Sequence, residues 1–283
     1  MRNRKLQSLV SLVCLLALAL SMAPAAEKEK ENQPEGEPKV WTEVLEKGEK
    51  TRNRHVARLL KDLPEGHKLR VQFHKVWDMS KHDFVQMIKV ATPLDEKDRP
   101  HGVQKHYRPW RGVQRTVTFQ QGKRHGLEKI YDGGYGSKQP RVVIQWKDDR
   151  MQEKNIFHPN GQVSTEVKYE DGRPVGESRS FDPKGRLTRV VPYKDGRRHG
   201  EMVSYWPETG SKKRVVPCVE GTVEGVVRRF YEDGSKKAEL PFRDDSLHGV
   251  ERHWDEEGAL ERVRYWIDGE LVPEGVFKEK FKK

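Results

Sequence analysis

The sequence predicts an all-β fold, an elongated single-layer array of tandem β-hairpin repeats with a small N-terminal α/β segment. Three observations predict it. Only 34% of the 283 residues are hydrophobic while 35% are charged, which is too little apolar surface for a large globular core. A glycine corner returns every 24 to 26 residues after residue 100, and an aromatic residue stands five positions after each corner. A period of this length is typical of stacked repeats.

Residues 1–25 have the pattern of a secretory signal peptide. Positively charged residues precede an apolar run over 6–20, and Ala23-Pro24-Ala25 is a small-x-small cleavage signal. The run is too short to favour a spanning helix. We therefore expect an exported protein, periplasmic or secreted, whose mature chain begins at Ala26. The alternative is a segment that is kept as an uncleaved anchor.

The next two segments differ in their apolar pattern. Residues 26–40 are highly charged, contain Pro and Gly and lack apolar periodicity, which predicts a disordered charged linker. Residues 41–96 are predicted to hold a helix over 41–62, where apolar residues stand near helical spacing until Pro64 stops the run. A degenerate hairpin over 68–91 follows, because its apolar residues alternate.

The repeat array is predicted over residues 97–276, and a basic tail follows over 277–283. Each unit runs from its corner along a strand to the aromatic residue, turns at a glycine, and returns along a second strand that carries another large residue. A turn pair such as Asp171-Gly172 closes the unit, because these residues accept positive φ. One hairpin is marginal in water, so stacking must supply the core. The corners are Gly102, Gly126, Gly176, Gly200, Gly225 and Gly249, with Gln152 in place of one glycine.

This pattern of a glycine corner, an aromatic, a turn glycine and a closing Tyr-x-Asp-Gly resembles the bacterial variant of the MORN repeat, as grouped in YwqK-type antitoxin-like proteins. The units from Gly176 to Tyr193 and from Gly225 to Phe242 match best, while the unit at Gln152 lacks the corner glycine. The resemblance implies an elongated, curved sheet of stacked hairpins that serves as a binding or scaffold module. A cytoplasmic antitoxin role disagrees with the export signal.

Basic residues recur three positions after the corners, on the strand face that also carries the aromatic two residues later. We interpret them, together with two tryptophans, as a candidate binding face that could stack rings and pair with anions. The alternative is structural: long stems cover aromatic rings while the charged heads stay in water, and the tryptophans belong to sheet packing. The candidate binding face comprises Lys105, Lys129, Arg179, Arg228, Arg252, Trp206 and Trp254.

No metal, cofactor or catalytic site is predicted. Histidines stand at four corners, His101, His125, His199 and His248, but equivalent residues of successive hairpins lie roughly 10 Å apart. Zinc ligands must converge to about 2 Å from the metal. Catalytic motifs such as H-E-x-x-H, G-x-S-x-G and the P-loop are missing from the sequence. Without the signal segment Cys218 is the only cysteine, and we expect it to be a small buried side chain.

The predicted function is a non-catalytic binding or scaffold module that presents an extended sheet face to a protein partner. The formal net charge of +11 leaves an alternative open, a peripheral binder of anionic membrane lipid or of an acidic envelope polymer such as a polysaccharide. Export disfavours nucleic acid. Salt dependence separates the two hypotheses, since binding through charge alone weakens as salt rises.

Overall fold

The computed structural model describes residues 40–132 and 138–282, all within one compact unit, Pro38–Lys283. The predicted signal peptide and the predicted linker, except for Val40, lie outside these residues. The described residues form 21 strands and two helices. They are β1 Trp41–Glu46, α1 Arg54–Lys61, β2 Lys68–Asp78, β3 Asp83–Leu94, β4 Gly102–Arg108, β5 Gly112–Gln120, β6 Lys123–Tyr131, β7 Pro140–Lys147, β8 Arg150–Phe157, β9 Val163–Glu170, β10 Arg173–Phe181, β11 Leu187–Lys194, β12 Arg197–Arg198, β13 Gly200–Tyr205, β14 Lys212–Val219, β15 Thr222–Val223, β16 Gly225–Phe230, β17 Lys236–Arg243, β18 Ser246–Leu247, β19 Gly249–Trp254, β20 Leu260–Ile267, β21 Glu270–Val272 and α2 Glu274–Lys280.

The strands form one open antiparallel sheet in which each strand pairs with its neighbours in the chain. This confirms the prediction of an all-β array of tandem hairpins. Three strands are interrupted just before their corner glycine, so that β11 pairs with both β12 and β13, for example. The residue at the interruption donates its backbone N–H to a proline carbonyl, as His199 does to Pro192 at 3.0 Å.

The turn pairs have the backbone that the sequence predicts. Asp171 and Gly172 have φ of 47° and 77°, and Asp195 and Gly196 have 51° and 81°. Two positive φ values in succession identify the type I′ hairpin turn, which matches the twist of the strands it joins. Asp245 occupies the second position of one turn with φ of 62°, and its carboxylate accepts the backbone N–H of Val223 at 2.7 Å.

The predicted helix over 41–62 is wrong at its start. Residues 41–46 form β1, which pairs with β2 and places Trp41 opposite Phe73 with their rings stacked at 5.6 Å. The helix begins only at Arg54, after Asn53, whose side-chain oxygen accepts the backbone N–H groups of His55 and Val56. Such a cap satisfies donors that the first helical turn leaves free. The hairpin predicted over 68–91 is formed by β2 and β3, which extend to Leu94.

Both helices contact the same face of the sheet. Leu60 of α1 packs in a buried cluster with Val71, and Phe277 of α2 lies 5.3 Å from Tyr265, ring centre to ring centre. The pairing register links the two ends through one row of cross-strand neighbours, and we call the face that carries this row the helix-side face and its opposite the far face. The row runs Val71, Ala91, Lys105, Thr116, Lys129, Val143, Asn155, Glu166, Arg179, Val190, Val203, Val215, Arg228, Glu239, Arg252 and Val263.

Candidate functional site

The five basic residues of the candidate binding face all lie in the row that defines the helix-side face. The register does not make them neighbours, because uncharged or acidic residues stand between them. Lys105 and Lys129 are separated by Thr116, and Arg228 and Arg252 are separated by Glu239. The row is therefore an alternation of charges with polar and apolar residues.

Acidic residues neutralise part of this row. Arg179 lies 2.9 Å from Glu177 and 4.0 Å from Glu166, and Arg228 lies 3.7 Å from Glu201. These pairs are solvent-exposed and add little stability, but they cancel the local field. In the parts of the chain that the structure describes, Lys105, Lys129 and Arg252 have no ion pair within 4.0 Å. Two of these three cations, Lys105 and Lys129, lie toward the N-terminal end of the helix-side face.

The two tryptophans of the candidate face are half-buried and connect successive repeats. The indole N–H of Trp206 donates to the carbonyl of Phe230 at 3.4 Å, and the Lys213 ammonium lies 4.2 Å from the Trp206 ring centre. The carbonyl of Trp254 accepts the hydroxyl of Tyr231 at 2.8 Å. These contacts give both residues a packing role within the array.

An apolar cleft lies between the end of α1 and the helix-side face. It has a volume of about 260 Å³, with Leu59 and Leu63 on the helix side and Leu69 on the sheet side. Val103 and Lys105 of β4 form its open border. Val103 is 42% exposed, and Leu127, on the same face two strands away, is 40% exposed. The cleft is therefore bordered by an exposed valine and by a lysine that has no ion pair in the described chain, and Leu127 adds a separate exposed apolar side chain on the same face.

A second cleft of about 420 Å³ lies beside the start of α1, where Asn53 and His55 line it. Here the His55 ring nitrogen Nε2 lies 3.1 Å from the Tyr107 hydroxyl. Burial raises the pKa of Tyr107 to about 12, and burial, followed by Lys105 and Arg58, lowers the pKa of His55. Both groups are therefore uncharged at neutral pH and suited to hydrogen bonding. The sequence alone does not predict this pair, because residues 55 and 107 meet only through the packing of α1.

The corner histidines take part in turns. The backbone N–H of Gln121 donates to His101 Nδ1, and that of Asp268 donates to His248 Nδ1, both at 3.3 Å. Within residues 40–132 and 138–282, no three His, Cys, Asp or Glu side chains are grouped so that they could hold a metal ion. Neither helix of the described chain is long and apolar enough to span a bilayer. Cys218 is 2% exposed, which confirms the expectation that it is buried.

A second set of basic residues was also missed. Arg189, Arg214 and Arg229 lie on the far face, where the register makes Arg214 and Arg229 direct cross-strand partners. The signal was present in the pair Arg228-Arg229, since adjacent strand residues point to opposite faces. The predicted binding face included Arg228 but not Arg229, so it placed the basic residues on the helix-side face only.

Comparison with known protein families supports the repeat assignment. Residues 223–244 match the family model described as MORN repeat variant. The matched segment covers β16 and β17, one period of the array. No curated protein matches the chain. MORN repeats are generally associated with binding and are generally non-enzymatic. The match, together with the repeated hairpins on either side of it, supports a MORN-repeat protein.

Proposed function

We propose that the chain is an exported, non-catalytic binding module that presents its helix-side face to a protein partner. The observation that carries this proposal is the apolar cleft beside α1, which is bordered by exposed Val103, with exposed Leu127 two strands away on the same face. Protein interfaces concentrate their binding energy in central apolar pockets surrounded by polar residues. The YwqK-type antitoxin-like role is not part of the proposal, since that role is cytoplasmic and the N-terminus reads as an export signal.

The chemistry of the cleft indicates the kind of partner segment that fits. Leu59, Leu63 and Leu69 would receive one apolar side chain, while Lys105 at the border, which has no ion pair in the described chain, would attract a carboxylate. Lys129 lies two strands further along the same row. The segment would therefore carry an apolar anchor followed by acidic residues. A preformed sheet and a packed helix lose little entropy when such a segment binds.

The alternative, a peripheral binder of anionic lipid or acidic polymer through the same basic row, has less support. Glu166, Glu177, Glu201 and Glu239 lie among the basic residues and neutralise two of the five. A surface that binds anions through its general charge would be weakened by these carboxylates. The alternative also leaves the apolar cleft without a role.

The test compares two exposed valines. Val103→Ser alters the cleft border, whereas Val219→Ser changes a residue of similar exposure, 46%, far from the cleft. We expect Val103→Ser and Lys105→Glu to weaken capture of one protein from an envelope extract about tenfold, as loss of an interface anchor does. Val219→Ser should leave capture unchanged.

Capture is measured at low and at raised salt, and the outcomes separate the hypotheses. A protein that is retained at raised salt and lost only with the cleft variants supports the proposal. Retention of acidic lipid or polymer that disappears as salt rises favours the alternative. Equal capture by both valine variants contradicts the assignment of the cleft. Export has its own test, since the N-terminus of the cell-released protein should be Ala26.

A further inference from the structure

A second row of cross-strand neighbours crosses the far face, one residue out of phase with the first row. Each residue of this second row is next in the chain to a residue of the first row. The second row therefore contains one residue from each strand that it crosses. The row runs His106, Arg115, Ile130, Val142, Ile156, Thr165, Ser180, Arg189, Ser204, Arg214, Arg229, Ala238, His253 and Arg262.

Toward each end of this row a basic side chain is matched by a buried carboxylate. Arg115 Nε lies 2.7 Å from Glu128, which is 3% exposed, and His253 contacts Glu251, which is 4% exposed. The array can therefore supply a counter-charge on this face, and it does so by placing a glutamate on the neighbouring strand or two residues away. The middle of the row is built differently.

Arg189, Arg214 and Arg229 in the middle have no carboxylate within 4.0 Å among the described residues. Arg214 and Arg229 are direct cross-strand partners, and Ser204 separates Arg214 from Arg189. Like charges directly opposite each other in a sheet are destabilising. Burial, and then the charges of Arg229 and Arg189, lower the pKa of Arg214, so the three groups act on one another.

Packing alone does not explain these arginines. Their stems can cover the buried row beneath, which includes Val216 and Val227. However, Ser204 occupies the position equivalent to Arg229 one repeat earlier. Ala238, the next residue of the row after Arg229, is only 1% exposed. The fold accepts a small neutral residue in this row. The three charges are therefore not required by the sheet itself.

We propose that Arg189, Arg214 and Arg229 form a binding site on the far face for a ligand that carries phosphate or sulfate groups. The guanidinium fork binds two oxygens of such a group at once, which gives both orientation and strength. Adjacent strands lie about 4.8 Å apart, so Arg214 and Arg229 can share one group, with the Ser204 hydroxyl beside them. Arg189, about 10 Å from Arg214, reaches a second group, which favours a ligand with several oxyanion groups in series.

This site goes beyond the proposed protein-binding function, because it lies on the opposite face of the sheet and shares none of the cleft residues. The far face in this region exposes arginines over a buried apolar row and has no exposed aromatic among the row residues. The observations therefore favour recognition of oxyanions by charge-assisted hydrogen bonds over stacking of rings.

The experiment uses the neighbouring arginines as a matched pair. Arg229→Ser removes a far-face charge and introduces the residue found at Ser204, while Arg228→Ser removes the same charge from the helix-side face. The probes are inorganic phosphate, sodium tripolyphosphate and vesicles that contain an anionic phospholipid, each titrated calorimetrically against the full chain at about 0.15 M salt. We expect Arg229→Ser to weaken tripolyphosphate binding about tenfold or more, as loss of a charged hydrogen-bond donor does, and Arg228→Ser to change it less than about twofold.

Thermal unfolding supplies a second readout. Tripolyphosphate should raise the Tm of the wild type and of Arg228→Ser but not that of Arg229→Ser, since only a folded protein with the site is stabilised by the ligand. Binding of tripolyphosphate without vesicles identifies a soluble or polymeric source of the oxyanion, and binding of vesicles that is lost in Arg229→Ser identifies a lipid headgroup. Equal loss in both variants, or no binding of any probe by the wild type, overturns the proposal. A failure of the cleft variants to alter protein capture would leave these outcomes unaffected.

Discussion

The first strands and the later repeats build a core from the same sheet in two ways. Around β1 to β4 the helix α1 covers the sheet, and Phe73 and Val71 are 1% and 0% exposed. From β11 to β19 a second cluster, which includes Val227 and Ala238, is buried to a similar degree, although α1 packs against the other end of the sheet. Here the stems of neighbouring side chains and the half-buried aromatics provide the cover.

The difference shows which side chains each kind of core can bury. The helix covers a ring as large as Phe73 almost completely, whereas the later cluster buries aliphatic side chains such as Leu240 and leaves aromatics such as Tyr193 and Phe242 half-buried. The later repeats also use hydrogen bonds from one repeat to the next, such as that from the Tyr231 hydroxyl to the Trp254 carbonyl. Three changes test this comparison.

The largest effect is expected from removing a ring that the helix covers. Phe73→Ala should destabilise the chain by about 3–5 kcal/mol, because a fully buried ring leaves a cavity. Phe230→Ala removes the same ring from a half-buried site and should cost clearly less. Repeat arrays can lose two-state behaviour, so the measurement is hydrogen exchange, which should increase around β2 for the first variant and around β16 for the second. Equal losses of stability in the two variants would mean that the two cores do not differ in how well they bury a ring.

A smaller effect is expected from a buried carboxylate of the uncovered array. Glu251 accepts hydrogen bonds from the Trp266 indole and is in contact with His253. Glu251→Ala should cost about 1–3 kcal/mol, since both partners lose their acceptor. Glu239→Ala, which removes a more exposed partner of Lys236, is the control and should cost about 1 kcal/mol or less. Urea unfolding measures both.

The same carboxylate predicts a dependence on pH. Burial tends to raise the pKa of Glu251, but hydrogen bonds from His253 and Trp266 outweigh it and hold the pKa below its usual value. The stabilisation is therefore complete above the unfolded pKa of about 4.3 and is lost as pH falls through the lower folded value. The wild type and Glu251→Ala should converge in stability in acid, and a constant difference down to pH 2 would contradict this.

The smallest effect is expected from a single bond between repeats. Tyr231→Phe deletes the hydroxyl that donates to the Trp254 carbonyl and should cost about 0.5–1.5 kcal/mol. Exchange should increase at the turn after Trp254 and stay unchanged at β2. Tyr205→Phe, at a tyrosine whose hydroxyl has no hydrogen bond in the described chain, serves as the reference, and similar losses in both would assign the effect to the ring environment.

Local signals predicted the repeats well. Asp and Gly tolerate positive φ, so Asp171-Gly172 and Asp195-Gly196 indicated their turns without any knowledge of neighbours. The start of the predicted helix was wrong because Trp41 and Leu45 are four residues apart, a spacing that puts both on one side of a helix and of a strand alike. Val44, 49% exposed between them, follows the alternation of a strand.

The candidate site was harder to predict because it depends on register. Strand alternation placed Lys105 and Arg228 on one face, but only the pairing showed that Glu201 lies beside Arg228 and that Arg214 faces Arg229. These neighbours are 27 and 15 residues apart in the chain, at separations that shift with each insertion. The cleft beside α1 depended on helix packing, which no repeat pattern contains.

The last strand has a consequence for growth of the sheet. β21 has only three residues, and α2 follows it directly and packs on Tyr265 of the preceding strand. A short strand backed by a helix is a poor template for another chain, whereas β1 offers six residues at the opposite edge of the sheet that residues 40–132 and 138–282 form. Sheets polymerise into fibres only when both edges accept strands. With one edge blunted, joining through β1 would stop at two chains, which protects a protein made almost entirely of hairpins from open-ended aggregation.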